Sequence, residues 1–240
     1  LENFIEITIF ILIALLSYWI SAIVHELGHI VVGLANGWKL FILVVGFVGL
    51  KRKDEKLALY FEKNPVMWGG AGGIFPIKED ENNIKIWSKV LLGGPIASIT
   101  MGIIFVTISA LHSHIVWLLL GAMLIGMGIA CLLPLKTGIT YTDGKRWYRL
   151  RNGGQGQAEE IAIFKMTEIE QLGKDKSEIQ KEAFEALLNA ELPALRYYGN
   201  YYLYQYYIAN NDDENKANTL EILNDMKSKV PKIIIDDCLL

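Results

Sequence analysis

The 240-residue chain contains only two cysteines, Cys131 and Cys238, so no disulfide framework supports it. Cys131 stands in an apolar stretch and reads as a small buried hydrophobe. Positive charge is also in short supply, with 23 Lys and Arg against 26 Asp and Glu. Nowhere do basic residues gather around an aromatic platform, which argues against nucleic acid as a partner. Neither GxxxxGK[ST] nor GxGxxG occurs, so the glycine-dense segment 69–75 is not a phosphate loop. Above all, charge is missing where it is missing completely. Residues 7–24 and 90–135, runs of 18 and 46, contain no Lys, Arg, Asp or Glu.

Eighteen residues at about 1.5 Å each give roughly 27 Å of helix, close to a hydrocarbon core of roughly 30 Å. The longer run is too much for one crossing and suits two, joined at Leu111-His112-Ser113-His114. Helices are therefore predicted at about 4–34, 87–110 and 115–133. A cleaved signal peptide does not fit the first, because Glu2 and Glu6 stand ahead of it in place of basic residues. Residues 1–6 and the 112–114 turn carry no Lys or Arg. Nine lysines and arginines follow the first span and five more cluster after the third, from Lys136 to Arg151. The positive-inside rule then places the N-terminus outside and everything after residue 135 in the cytoplasm.

Between the first two spans, segment 38–78 reads as β-rich. Lys39–Leu50 and Leu57–Phe61 are apolar stretches flanking a charged turn, Lys51–Lys56. The segment Gly69–Phe75 is either a flexible connection or edge strand, or a place where backbone closely approaches a ligand or peptide. The fold class expected is an all-α membrane core of three transmembrane helices with a membrane-associated β-hairpin or sheet insertion. That core spans residues 1–150. A C-terminal cytoplasmic helical domain follows at 155–240, with helical spacing at Ala158–Leu172, Lys176–Leu188, Leu192–Ala209 and Ala217–Lys229. Its tyrosines, Tyr197 to Tyr207, suit amphipathic packing, some of it against the membrane surface, or a groove for a cytoplasmic peptide or protein partner.

One cluster carries chemistry. His25-Glu26-Leu27-Gly28-His29 puts two imidazoles on one helix face with a carboxylate beside them, a pattern that binds zinc (Zn2+) and activates water. Titratable groups at the end of an apolar span are costly and need a purpose. Catalytic zinc normally takes three protein ligands. His112 and His114 lie a bilayer away at the outer turn. Asp143 leads as the third ligand, and Glu79, Asp80 and Glu81 are the other candidates.

With these residues the chain resembles the intramembrane metalloproteases of the site-2 protease type. The resemblance covers about residues 15–150. It rests on HExxH at the inner end of one span, Gly93-Gly94-Pro95-Ile96-Ala97-Ser98 in the second, and Leu133-Pro134 followed by Asp143-Gly144. It implies that His25, His29 and Asp143 bind zinc and that Glu26 activates the water. It also implies that a membrane-embedded or membrane-associated peptide is held as an added strand near Gly72, Gly73 and Ile74, with Gly94, Pro95 and Ser98 contributing to the substrate site. Two positions depart from the family pattern. No Asn precedes Pro134, where Cys131 stands nearby, and Ser98 lies near the place where the family often has Asn. The competing reading is an inactive family member that acts as a membrane peptide-binding or chaperone module.

Overall fold

In the computed structural model, residues 2–53, 56–138 and 140–238 are described. They divide into two compact units, Leu1–Pro134 and Leu135–Leu240.

The first unit is built on three helices, α1 (Glu2–Ala35), α2 (Asn83–His112) and α3 (Ile115–Leu132). Each is long and apolar enough to cross a bilayer, with mean hydropathy between 2.0 and 2.5. The chain is a multi-pass integral membrane protein. α2 starts four residues ahead of the predicted 87, in a first turn that carries Asn83 and Lys85. There the Asn83 side-chain amide donates to the Lys78 carbonyl at 2.9 Å. Hydropathy marks the lipid-embedded part of a helix, whereas backbone hydrogen bonding carries on into water.

Glycines set how closely these helices approach. A Cβ at Gly28 would lie 2.4 Å from the Gly93 carbonyl oxygen, and one at Gly93 would lie 2.5 Å from that of Gly28. Gly102 and Gly121 meet in the same way, each 2.8 Å from the other's oxygen. Membrane helices gain little from burying apolar surface against one another, so close backbone contact through small residues is what holds them. Gly28→Leu is therefore expected to lower the thermal unfolding temperature in detergent, at an overpacking cost of about 1–3 kcal/mol or more. Gly126, with nothing within 4 Å of its would-be Cβ, is the control. Equal unfolding temperatures for Gly28→Leu and Gly126→Leu would refute the close-contact account.

Four antiparallel strands fill the interval between α1 and α2: β1 (Lys39–Val45), β2 (Val48–Lys53), β3 (Lys56–Phe61) and β4 (Ala71–Phe75). Their order is β3-β2-β1-β4, so β4 is an edge. The apolar stretch Lys39–Leu50 is broken at Gly46, which turns at φ +60°. Most of the predicted charged turn is strand, and its tip, residues 54 and 55, lies outside the described residues. The β2–β3 register puts Val48, Leu50, Leu57, Leu59 and Phe61 on one face together with Arg52, and Lys51, Lys53, Lys56 and Tyr60 on the other. The sheet docks on α1 through Ile74, whose side chain fills the space above Gly33, and through the Tyr18 hydroxyl, which donates to the Gly69 carbonyl at 3.3 Å.

The second unit opens with a small hairpin, β5 (Lys136–Thr137) and β6 (Thr140–Tyr141). Helices follow: α4 (Asp143–Arg151), α5 (Gly154–Leu172), α6 (Lys181–Glu185), α7 (Pro193–Ala209), α8 (Asp213–Met226) and α9 (Lys232–Cys238). The segment 176–188, expected as one helix, is a 3-10 turn and then the short α6. Ile179, Phe184 and Leu187 do point into a common core, which produced the helical spacing, but the backbone is extended at Gln180. Tyrosines of α7 pack into the unit's own core, with Tyr202 stacked on Phe184 at 4.7 Å. A groove of about 470 Å³ runs beside Tyr197, Tyr201, Tyr204, Leu220, Leu223 and Asn224.

Candidate metal centre

One turn apart on α1, His25 and His29 are both buried and face each other, with their Nε2 atoms 3.3 Å apart. Their Nδ1 atoms are engaged by α2. The Val90 carbonyl lies 2.6 Å from His29 Nδ1. The Gly94 amide lies 3.3 Å from the same nitrogen, but a carbonyl only accepts, so the shorter contact favours a proton on Nδ1 and leaves an Nε2 lone pair toward His25. His25 Nδ1 lies 3.2 Å from the hydroxyl of Ser98, which is fully buried. Imidazoles that serve as metal ligands are typically oriented in this manner, the far nitrogen held by a carbonyl or other polar group while the near one points at the ion. The pair therefore fits a cation such as zinc.

Val90, Gly94 and Ser98 recur every four residues and so share one face of α2. Gly94 is the reason His29 fits beneath that face: a Cβ there would lie 2.3 Å from Nε2. Pro95 next to it removes the amide that would bond the Leu91 carbonyl. The sequence put Gly94, Pro95 and Ser98 near substrate, and the structure lays Gly94 against His29 and Ser98 against His25. His112 is fourteen residues beyond Ser98 along α2, or roughly 21 Å by helical rise. It cannot join these imidazoles.

Glu26, half-buried, points toward β4. A Cβ at Gly72 would lie 2.6 Å from its Oε2, and one at Gly70 would lie 3.3 Å from its Oε1. The glycine-dense segment is thus both an edge strand and a close approach, and what it approaches is a carboxylate. Gly73 pairs with Ile42 across the sheet. Ile74, 3% exposed, is turned inward against Gly33.

Asp143 is the first residue of α4. The preceding Thr142 caps that helix by accepting from the Lys145 amide, and its backbone amide donates to the Leu135 carbonyl at 3.1 Å. Beside it, the Tyr141 hydroxyl donates to Glu191 at 3.2 Å. Burial pushes the Tyr141 phenol up to about 12, with Glu191 adding to the rise and Arg149 opposing it. It therefore remains a donor throughout the physiological range. The C-terminal end of α3 meets α2 just past the histidines, where a Cβ at Gly128 would lie 2.8 Å from the Pro95 carbonyl. Asp143 follows the last residue of α3 by eleven positions.

Sequence reasoning missed the Val90 carbonyl and Gly70. The four-residue spacing of Val90, Gly94 and Ser98 was the available signal for the first, and Gly70 had none beyond its place in a glycine run.

The profile of Peptidase family M50 matches residues 11–233, nearly the whole chain. The chain belongs to Peptidase family M50. Membership agrees with the resemblance to site-2 proteases and with the three-helix core. No curated protein and no solved structure matches it.

Proposed function

We propose that the chain is a zinc-dependent intramembrane endopeptidase acting on membrane-embedded or membrane-associated peptides. The observation that carries this reading is the converging imidazole pair of His25 and His29 with the Glu26 carboxylate alongside, under the edge strand β4. M50 membership supports it. His25, His29 and Asp143 make a donor set of two imidazoles and a carboxylate that could hold a metal ion, and zinc suits that mixture. Zinc there would supply a Lewis acid that acidifies water and polarises a peptide carbonyl.

The chain's own residues have separable tasks. Val90 and Ser98 fix the two rings, and Gly94 leaves His29 its space. Glu26 takes a proton from the attacking water at a carboxylate oxygen and returns it to the leaving nitrogen. Backbone along β4 holds the substrate extended, because a helical amide is already hydrogen-bonded and shielded from attack. The basic residues of segments 39–89 and 136–151 support a cytoplasmic position for both, with the N-terminus outside.

Metal content tests the reading. The detergent-purified chain should carry about one zinc, and Asp143→Ala should lose most of it, because three protein ligands are the usual minimum for a catalytic site. A native chain without zinc, purified in the absence of chelator, would favour a peptide-binding family member that has no hydrolytic chemistry. Full retention by Asp143→Ala would move the third ligand to Glu79, Asp80 or Glu81.

A further inference from the structure

Two carboxylates of α5, Glu159 and Glu160, are 3% and 0% exposed. Charges that deep need partners. Their cationic partners come from α4, and Gln155 of α5 also donates to Glu159 at 3.1 Å. Arg146 Nε donates to Glu160 at 3.0 Å and Arg149 Nε to the same carboxylate at 3.1 Å, while a second nitrogen of Arg149 binds Glu159. Arg149 also lies over the Tyr141 ring, 4.4 Å from its centroid. The Gln157 side chain donates to the Leu150 carbonyl at 2.9 Å, near the far end of α4. α4 is thus fastened along its length to α5.

The hairpin that leads into α4 is fastened too. Lys136 and Tyr141 both bind Glu191, at 2.9 and 3.2 Å, and the Leu135–Thr142 bonds close its base. Asp143 stands where these two attachments meet. We infer that the buried cluster of Glu160, Arg146 and Arg149 is a positioning device for Asp143. The inference rests on the proposed ligand role of Asp143.

An isolated buried salt bridge is weak evidence for stability, since apolar residues of similar volume often serve as well. Geometry is what the planar guanidinium fork adds. One contact from each guanidinium to Glu160, with a second from Arg149 to Glu159, fixes the rotation and axial position of a nine-residue helix. The first residue of that helix then has little freedom to wander.

The test is zinc affinity, measured on the detergent-purified full chain by competition with a chromophoric chelator, with circular dichroism to verify folding. Four chains are compared: native, Glu160→Gln, Asp143→Ala and the double variant. Glu160→Gln should bind zinc roughly 10–100-fold more weakly than native, as expected for residues that orient a ligand. In the Asp143→Ala background the same change should have no further effect, because the residue it positions is gone. Equal weakening in both backgrounds would mean a general loss of structure and would overturn the inference, as would native affinity in Glu160→Gln. Native affinity in Asp143→Ala alone would instead sink the ligand assignment beneath it. If Glu160→Gln does not fold, Arg146→Lys takes its place, keeping the charge and losing the fork. The same two comparisons then decide.

Discussion

A Glu26→Gln chain should keep its zinc and lose roughly 10²–10⁴-fold in cleavage rate, the usual contribution of a positioned acid–base group. The substitution is nearly isosteric. It leaves the carbonyl oxygen but replaces the other carboxylate oxygen with an amide that has no proton-accepting capacity at neutral pH. His25 and His29 keep their bonds to Ser98 and Val90, so the ligand geometry has no reason to change. Crowding is not the cause either, since Gly72 already leaves the space that the side-chain tip occupies. What disappears is the ability to take a proton from water and return it to the leaving amine. The measurement is cleavage of a membrane-anchored peptide in detergent or vesicles, beside metal analysis of the same sample. Cleavage at the native rate would remove Glu26 from the chemistry.

Gly94→Ala should have the opposite signature, with zinc affinity falling roughly 10–100-fold and activity following it. Two effects compete at this position. Alanine is the better helix former by about 1 kcal/mol, which favours the variant's backbone. Against that, the new methyl would stand 2.3 Å from His29 Nε2. The imidazole has no easy escape, because its other nitrogen is held 2.6 Å from the Val90 carbonyl and His25 lies in front of it. The ring must tilt, and the lone pair tilts with it. Helix content should be native or slightly higher while the metal is lost, a combination that general misfolding would not give. Native zinc affinity in Gly94→Ala would show that the ring has more room than these distances allow.

The parts legible in the sequence were those governed by a strong one-dimensional signal. Uncharged runs fixed three spans to within a few residues, and the i, i+4 spacing of His25 and His29 was enough to place both imidazoles on one face. Other features depended on partners far away in the chain. Ser98 read as a substrate contact, and only the crossing of α1 and α2 brings its hydroxyl to His25. Ile74 looked like part of a substrate-facing strand, but the strand's pleat turns it inward onto Gly33. Asp143 opens a helix that no local spacing announced, because Thr142 caps it and two arginines favour its last turn. That helix also engages the C-terminal segment that follows it, a pairing that helical spacing did not signal. Its buried glutamates are the counter-charges of α4.

β4 has one more consequence if it is the strand a substrate joins. A five-residue edge with Gly72 and Gly73 at its centre presents a guest with main-chain donors and acceptors and almost no side-chain pockets. Such an edge has little means of reading a guest's letters. Discrimination falls to the work of melting the guest's helix. Glycine lowers that work by about 1 kcal/mol and proline by about 3 kcal/mol relative to alanine. Among guests of equal length, the protein would select by fragility, and a single proline would count for more than any apolar side chain beside it.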